Sequence, residues 1–265
     1  MSPDTAHAAV PALLGPGDPP PFEVLQPHGG SPWLLVVDHA ERTVPRALGD
    51  LGLPPGEIDR HIGWDIGIGG VARQLAPQLD AWTVLQNFSR LVIDCNRPLD
   101  APTLIAAASD GTAVPANAAL DGAQRQARIQ AIFAPYHDRI RRELDARAAQ
   151  RRPTLLATLH SFTPSMGGID RPWHCGVLYH RDPRLAHALR DALQAEGDLV
   201  VGDNQPYAVS DASDYAIPVH GEARGLAHVE LEIRQDLIAD AAGQQAWARR
   251  LARLFDVVAP AFLHG

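Results

Sequence analysis

The sequence predicts one α/β domain, with a mixed, mostly parallel sheet flanked by helices. Three observations carry that expectation. Short apolar runs alternate with helix-period segments from residue 33 to residue 258, the order that builds layered α/β folds. The runs at 33–38 (WLLVVD) and 154–161 (TLLATLHS) are apolar almost throughout, as in strands covered on both faces. The chain of 265 residues is long enough to bury a full core in a single domain.

The elements follow in order. Residues 1–30 carry many Pro and Gly without a sustained period. They read as an N-terminal arm ahead of a domain spanning 31–265. Residues 33–38 form the first strand, which ends at His39. Pro54, Pro55 and Gly56 break the chain before a helix from about 67 to 79. Strands are expected at 81–85 and 91–94, the second stopped by Pro98. Residues 99–118 lack a period and read as a loop long enough to cover a site. Residues 121–150 form an amphipathic helix, with Ile129, Ile132, Phe133, Tyr136, Ile140 and Leu144 on one stripe. The strand 154–161 comes next, then a Gly/Pro loop at 162–173 and a strand at 174–180. A helix at 183–195 turns Leu185, Leu189 and Leu193 inward. A short strand at 199–201, a long loop at 202–225 and a last strand at 226–233 follow. A closing helix over about 242–258 buries Trp247, Leu251, Leu254 and Val258.

Composition excludes several classes. A formal charge of −8 argues against nucleic acid as a partner. The two cysteines, Cys95 and Cys175, form no Cys-x-x-Cys pair, so a disulfide framework or structural zinc cluster is not expected. No apolar run approaches a membrane span, and the N-terminus has no charged-then-apolar leader pattern. A cytoplasmic enzyme without a membrane partner is the expectation.

Two strands each deliver a histidine to their carboxyl end, His39 and His160, where open α/β sheets bind ligands. The plain reading is a pair of strand-end histidines satisfied by hydrogen bonds. The functional one is a metal site. Catalytic zinc takes three protein ligands and keeps a position open. Asp65 is preferred over Glu41 as the third ligand, its ordinary role being a helix N-cap. Arg42 occupies the His-x-x-Glu position after His39. Hydrolysis also needs a carboxylate to take a proton from water. Glu230 and Glu232 share one face of the last strand with Arg234, while Val229, Leu231 and Ile233 share the other. Glu232, nearer the strand end, is the expected general base; a polar edge strand is the alternative. Arg97 beside Asn96, together with Arg90, offers a fork for a substrate carboxylate, unless Arg97 pairs with Asp94 or Asp100. His220 is either an oxyanion stabiliser or a plain loop histidine. Ser161, next to His160, lies in no Gly-x-Ser-x-Gly elbow and is not a nucleophile.

Six segments together resemble the N-formylglutamate amidohydrolase family. They are V-D-H-A (37–40), G-W-D-I-G (63–67), F-S-R-L-V-I-D-C-N-R-P (88–98), L-H-S-F-T-P (159–164), H-G-E-A-R-G-L (220–226) and E-I-R-Q-D-L (232–237). The likeness covers about residues 30–258. That family is similar to zinc carboxypeptidases and aminoacylases, with a phosphorylase/hydrolase-like α/β fold. The resemblance implies bound Zn2+, a metal-bound water activated by Glu232, and Arg97 or Arg90 gripping a substrate carboxylate; the pair His160 and Ser161, and Asn96, carry part of the match. It implies a small N-acyl amino acid as substrate, N-formyl-L-glutamate first, cleaved to formate and glutamate. A zinc peptidase or cell-wall amidase using the same site is the nearest alternative. A binding protein that keeps the fold without the chemistry is another.

Overall fold

The computed structural model describes residues 12–263. The strands are β1 (Phe22–Leu25), β2 (Trp33–Val37), β3 (Trp82–Gln86), β4 (Ala108–Ser109), β5 (Thr112–Ala113), β6 (Leu155–Phe162), β7 (Ser165–Met166), β8 (Ile169–Asp170), β9 (Cys175–Leu178), β10 (Val201–Asp203) and β11 (Ala227–Arg234). The helices are α1 (Ile68–Leu79), α2 (Gly122–Arg128), α3 (Ala134–Ala149), α4 (Arg184–Ala195) and α5 (Ala241–Val258). Seven strands form one sheet in the order β1-β3-β2-β6-β11-β9-β10. The central run β3-β2-β6-β11 is parallel. β1 joins β3, and β9 joins β11, antiparallel. The expected mixed, mostly parallel sheet is therefore present.

Alternation along the strands builds two apolar layers. Trp33, Leu35, Val37, Leu155, Ala157, Leu159, Val229, Leu231 and Ile233 pack under α1, α4 and α5. Leu34, Val36, Trp82, Val84 and Leu156 pack on the other face with Ile132, Tyr136, Ile140 and Leu144 of the long helical segment. That segment runs from α2 through a π-helical turn, Ile129–Phe133, into α3. Asp121 caps its start by accepting from the Gln124 amide at 2.7 Å. β11 lies between β6 and β9, which rules out the reading of Glu230 and Glu232 as a solvated edge.

The structure departs from the sequence reading in several places. Residues 91–94 form a turn and irregular chain instead of a strand. Both edges of β3 are already taken by β1 and β2, so the run has no ladder to join there. Its backbone bonds are local or to a loop instead: the Val92 amide donates to Ser89 O at 2.9 Å and the Asp94 amide to Leu104 O at 2.8 Å. The Asp94 carboxylate accepts from the Asn96 amide at 2.9 Å, a turn-forming bond that competes with sheet pairing. Within the lead-in, residues 22–25 are drawn into the sheet as β1. The long loops at 99–118 and 162–173 carry the hairpins β4–β5 and β7–β8, and the one at 202–225 contains a π-helical turn, Ile217–Gly221.

Candidate active site

Because β2, β6 and β11 run parallel, their carboxyl ends meet at one edge. Glu232 stands level with His160 on the adjacent strand, and Glu230 level with Thr158; in a parallel pair, residues in register point to the same face. A cleft of about 560 Å3 opens at this edge. Its lining includes His39, Asp65, Asn96, His160, Ser161 and Glu232, together with Arg90, Arg97 and Glu230.

Asp65 is the centre of the cluster. Its Oδ2 lies 3.3 Å from His39 Nδ1 and 3.0 Å from His160 Nδ1. The loop that carries it is tied in place by the backbone. The Asp65 amide donates to His39 O at 3.0 Å, and the Ser161 hydroxyl donates to Ile66 O at 2.9 Å. Asp65 does not cap α1; Gly67 stands at that position with no side-chain cap. Gly67 has φ 83°, and a Cβ there would come 2.1 Å from Ile238 O, so the turn that aims Asp65 inward requires glycine. Glu41, the other third ligand considered, pairs instead with Arg73 at 3.0 Å and does not line the cleft.

The donor set fits a metal ion. Ligand atoms of His39, Asp65 and His160 all lie within 4.8 Å of one another. Two ligands bound at about 2.0–2.1 Å in a tetrahedral zinc site stand roughly 3.3 Å apart, close to the separations seen here. The chemistry of the His39 ring agrees. Its Nε2 lies 2.7 Å from Asp94 Oδ1, a carboxylate that can only accept. A neutral ring that donates there presents a lone pair at Nδ1, facing the Asp65 oxygen. Two acceptors in contact need a cation between them, and an outer carboxylate of this kind fixes the ring of a metal-ligating histidine. Without one, the rings hold a proton. Burial and Arg90 work against a charged His39, but Asp94 and Asp65 prevail and raise its pKa. His160 is raised well above its ordinary value: burial opposes, and the carboxylates of Glu230, Asp38 and Asp65 overcome it. Burial would also raise Asp65, yet His39 and His160 hold it below the usual carboxylate range.

The two strand acids behave differently. Burial pushes Glu230 up to about 7 and Glu232 well above the ordinary glutamate value. Glu230 accepts from the Thr158 hydroxyl at 3.2 Å, while Glu232 Oε2 has no hydrogen-bond partner among the described residues.

The arginines divide. Arg90 gives Nε and Nη2 to Asp94 Oδ2 at 3.0 and 2.7 Å and Nη1 to Asp65 Oδ1 at 3.4 Å, so its charge is spent on the cluster. Arg97 uses Nη1 on the Asn96 and Ser213 carbonyls. Among the described residues nothing bonds its Nε or Nη2, and it faces the cleft. Asn96 braces the wall: its amide donates to Asp214 at 3.2 Å and its oxygen accepts from the Tyr215 and Ala216 amides.

His220 lies away from the cleft. It sits on the π-helical turn, buried, and does not line the cleft. Its Nε2 lies 3.0 Å from His137 Nδ1. Sequence reasoning missed Asp38 and Asp94, which flank the histidines. Their signal was adjacency: Asp38 precedes His39, and Asp94 ends an apolar run. A second group, His180, Asp211 and Glu222, lies beyond β9 at the opposite sheet edge, and Arg181 already bridges its two carboxylates.

The model of the N-formylglutamate amidohydrolase family matches residues 31–239. A solved structure of a protein from Agrobacterium tumefaciens is 35% identical, with a TM-score of 0.91, covering 94% of this chain and 98% of that one. A solved structure of N-formylglutamate amidohydrolase from Ralstonia eutropha is 21% identical, with a TM-score of 0.67, covering 91% of this chain and 98% of that one. The second likeness is one of fold. No curated protein sequence matches the chain.

Proposed function

Because the chain belongs to the N-formylglutamate amidohydrolase family, we propose that it is a metal-dependent hydrolase of N-acyl amino acids, with N-formyl-L-glutamate as the first substrate to test. One observation carries this reading: His39 Nδ1 and His160 Nδ1 converge on Asp65 beside Glu232, in a cleft that also presents Arg97. The ion is proposed to be Zn2+, held by His39, Asp65 and His160; this is the nitrogen-and-oxygen set that three-ligand catalytic zinc uses. When bound, zinc polarises the acyl carbonyl and lowers the pKa of water.

The chain's own residues do the rest. Glu232, one strand over from His160, takes a proton from the attacking water at its carboxylate. It then returns that proton to the departing amine. Its burial raises its proton affinity, and a nearby dication favours its ionised form, which suits it to both roles. Arg97 receives a substrate carboxylate with Nε and Nη2 in a bidentate fork. Asn96 and Ser161 act behind that contact, one holding the wall and the other the Asp65 loop. Arg90 keeps Asp94 ionised and donates to Asp65. In the overall reaction the amide C–N bond breaks, water supplies the new C–O bond, and formate and glutamate leave.

The test is formate release from N-formyl-L-glutamate by the purified protein, before and after chelation and with Zn2+ restored. Activity that disappears on chelation and returns with zinc supports the reading. A protein that binds zinc but releases no free amine from any of a panel of N-acyl amino acids overturns it.

A further inference from the structure

Behind the cleft, on the α3 side of the sheet, lies a group of buried polar atoms that the reaction above does not use. β2 ends at Val37, and alternation turns the next residue, Asp38, to the side of Leu34 and Val36. That is the apolar layer under α3. Val36 is level with Thr158 on β6, so Asp38 falls one pair further on, beside His160. Its side chain is 0% exposed, and among the described residues neither carboxylate oxygen has a hydrogen-bond partner. A buried carboxylate without hydrogen bonds is costly, and such a group calls for a reason.

The reason stands 3.5 Å away. His160 Nε2 faces Asp38 Oδ2 at that distance and is itself unpartnered. The opposite ring nitrogen, Nδ1, is the one aimed at Asp65. A neutral imidazole that lends Nδ1 to a metal must keep its proton on Nε2. That proton needs an acceptor in a space closed to solvent. Glu230 Oε2 is farther, at 3.9 Å, and already accepts from Thr158. Asp38 is nearer, with both oxygens open. The Tyr136 hydroxyl on α3 is also buried and, among the described residues, lacks a partner; burial, with Asp38 nearby, raises its pKa well above the ordinary tyrosine value.

We propose that Asp38, backed by the Tyr136 hydroxyl, is the positioning residue for His160. It accepts the Nε2 proton and so presents Nδ1 to the metal. The arrangement parallels the one across the cluster, where Asp94 accepts from His39 Nε2 at 2.7 Å. Each metal-facing ring then has its own carboxylate behind it, delivered by a different element. Asp38 does not reach the cleft, so it acts only through the ring.

This inference rests on the metal reading above, and the experiment separates the two. Zinc affinity is measured by competition with a chromophoric chelator for wild type, Asp38→Asn, Asp38→Leu and Tyr136→Phe. Loss of an outer carboxylate typically weakens metal binding by about 10–100-fold. Asp38→Asn keeps an acceptor and is expected near the lower figure, and Asp38→Leu near the upper. Tyr136→Phe is expected to lose only a few-fold. In parallel, long-range 1H–15N spectra of the zinc-loaded wild type should show the His160 proton on Nε2, shifted downfield as a proton held by a carboxylate is; in zinc-loaded Asp38→Leu it stays on Nε2 and loses that shift. Wild type that binds no zinc defeats the metal reading itself. Wild type that binds zinc, with unchanged affinity in a folded Asp38→Leu, defeats the role of Asp38. If both Asp38 variants fail to fold, the wild-type signal decides: a His160 Nε2 proton without that downfield shift overturns the proposal.

Discussion

His39 and His160 stand edge-on with ring centroids 5.1 Å apart, and His137 and His220 stack at 5.2 Å. All four are buried. Three of the four ring nitrogens of the first pair face a carboxylate within 3.3 Å, and the fourth lies 3.5 Å from one. Among the described residues no carboxylate hydrogen-bonds the second pair, and burial outweighs the influence of Asp38 on His137. His137 Nε2 donates to Cys95 O at 2.9 Å, its Nδ1 takes the His220 proton, and His220 Nδ1 is left without a partner. Burial holds His137 at about 4 and pushes His220 well below the ordinary histidine value, so this pair stays neutral. The first pair is raised instead. Proximity of two imidazoles therefore does not make a cation site; the acids around them do.

The sharpest way to break this contrast is to remove a ligand from one pair and a ring from the other. His160→Ala or Asp65→Asn should weaken zinc binding by more than the roughly 100-fold expected of an outer carboxylate. His137→Asn should leave one zinc per chain. Calorimetric titration checks both, and zinc retained by folded His160→Ala would remove that residue from the set. Next in size, Glu232→Gln should lower kcat by about 100- to 10,000-fold, the usual scale for a general base, while zinc content stays at the wild-type level. Full turnover in that variant would move the base elsewhere, with Glu230 the neighbour to examine. Arg97→Met should raise KM for substrates bearing a carboxylate by about 10- to 100-fold, the loss of a charge-assisted bond. It should leave N-acyl amides without that carboxylate nearly unaffected.

The smallest effect sharpens the neutral pair. A histidine whose folded pKa is about 4 against an unfolded value near 6.5 takes up its proton first in the unfolded chain. Its contribution to stability is complete above pH 6.5 and drains as the pH falls toward 4. Between pH 7 and pH 5 His137 alone accounts for about 2 kcal/mol. Glu230, raised to about 7, works in the opposite sense across that whole range. The measurement is therefore the difference between wild type and His137→Asn in urea denaturation at the two pH values. The variant should lose less stability on acidification; equal losses would show that His137 is not held neutral.

Much of this site could be read along the chain. His39 and His160 announce themselves because each follows a run of apolar residues that can only be a buried strand, and such strands end at a ligand-binding edge. Glu232 was legible from alternation, since Leu231 and Ile233 commit the opposite face to the core. The misreadings also have physical causes. Leu91, Val92 and Ile93 are buried, as a strand would be, but apolarity reports burial and says nothing of backbone pairing. His220 looked like a loop residue because a π-helical turn leaves no clear period. Arg90 looked like a substrate fork, and the structure commits it to Asp94 and Asp65.

The sequence by itself determined the α/β class, most of the strands and helices that build both layers, and the two histidines and the glutamate brought to one edge. Those follow from periodicity and strand ends, which are local properties of the chain. Only the tertiary structure decided which ring nitrogen faces which carboxylate, and with it the roles of Asp38, Asp94 and Arg90. Partners such as His39 and Asp94, or His160 and Asp65, are far apart along the chain. Hydrogen bonding and charge act over a few ångströms of space, so those roles exist only once the strands have met.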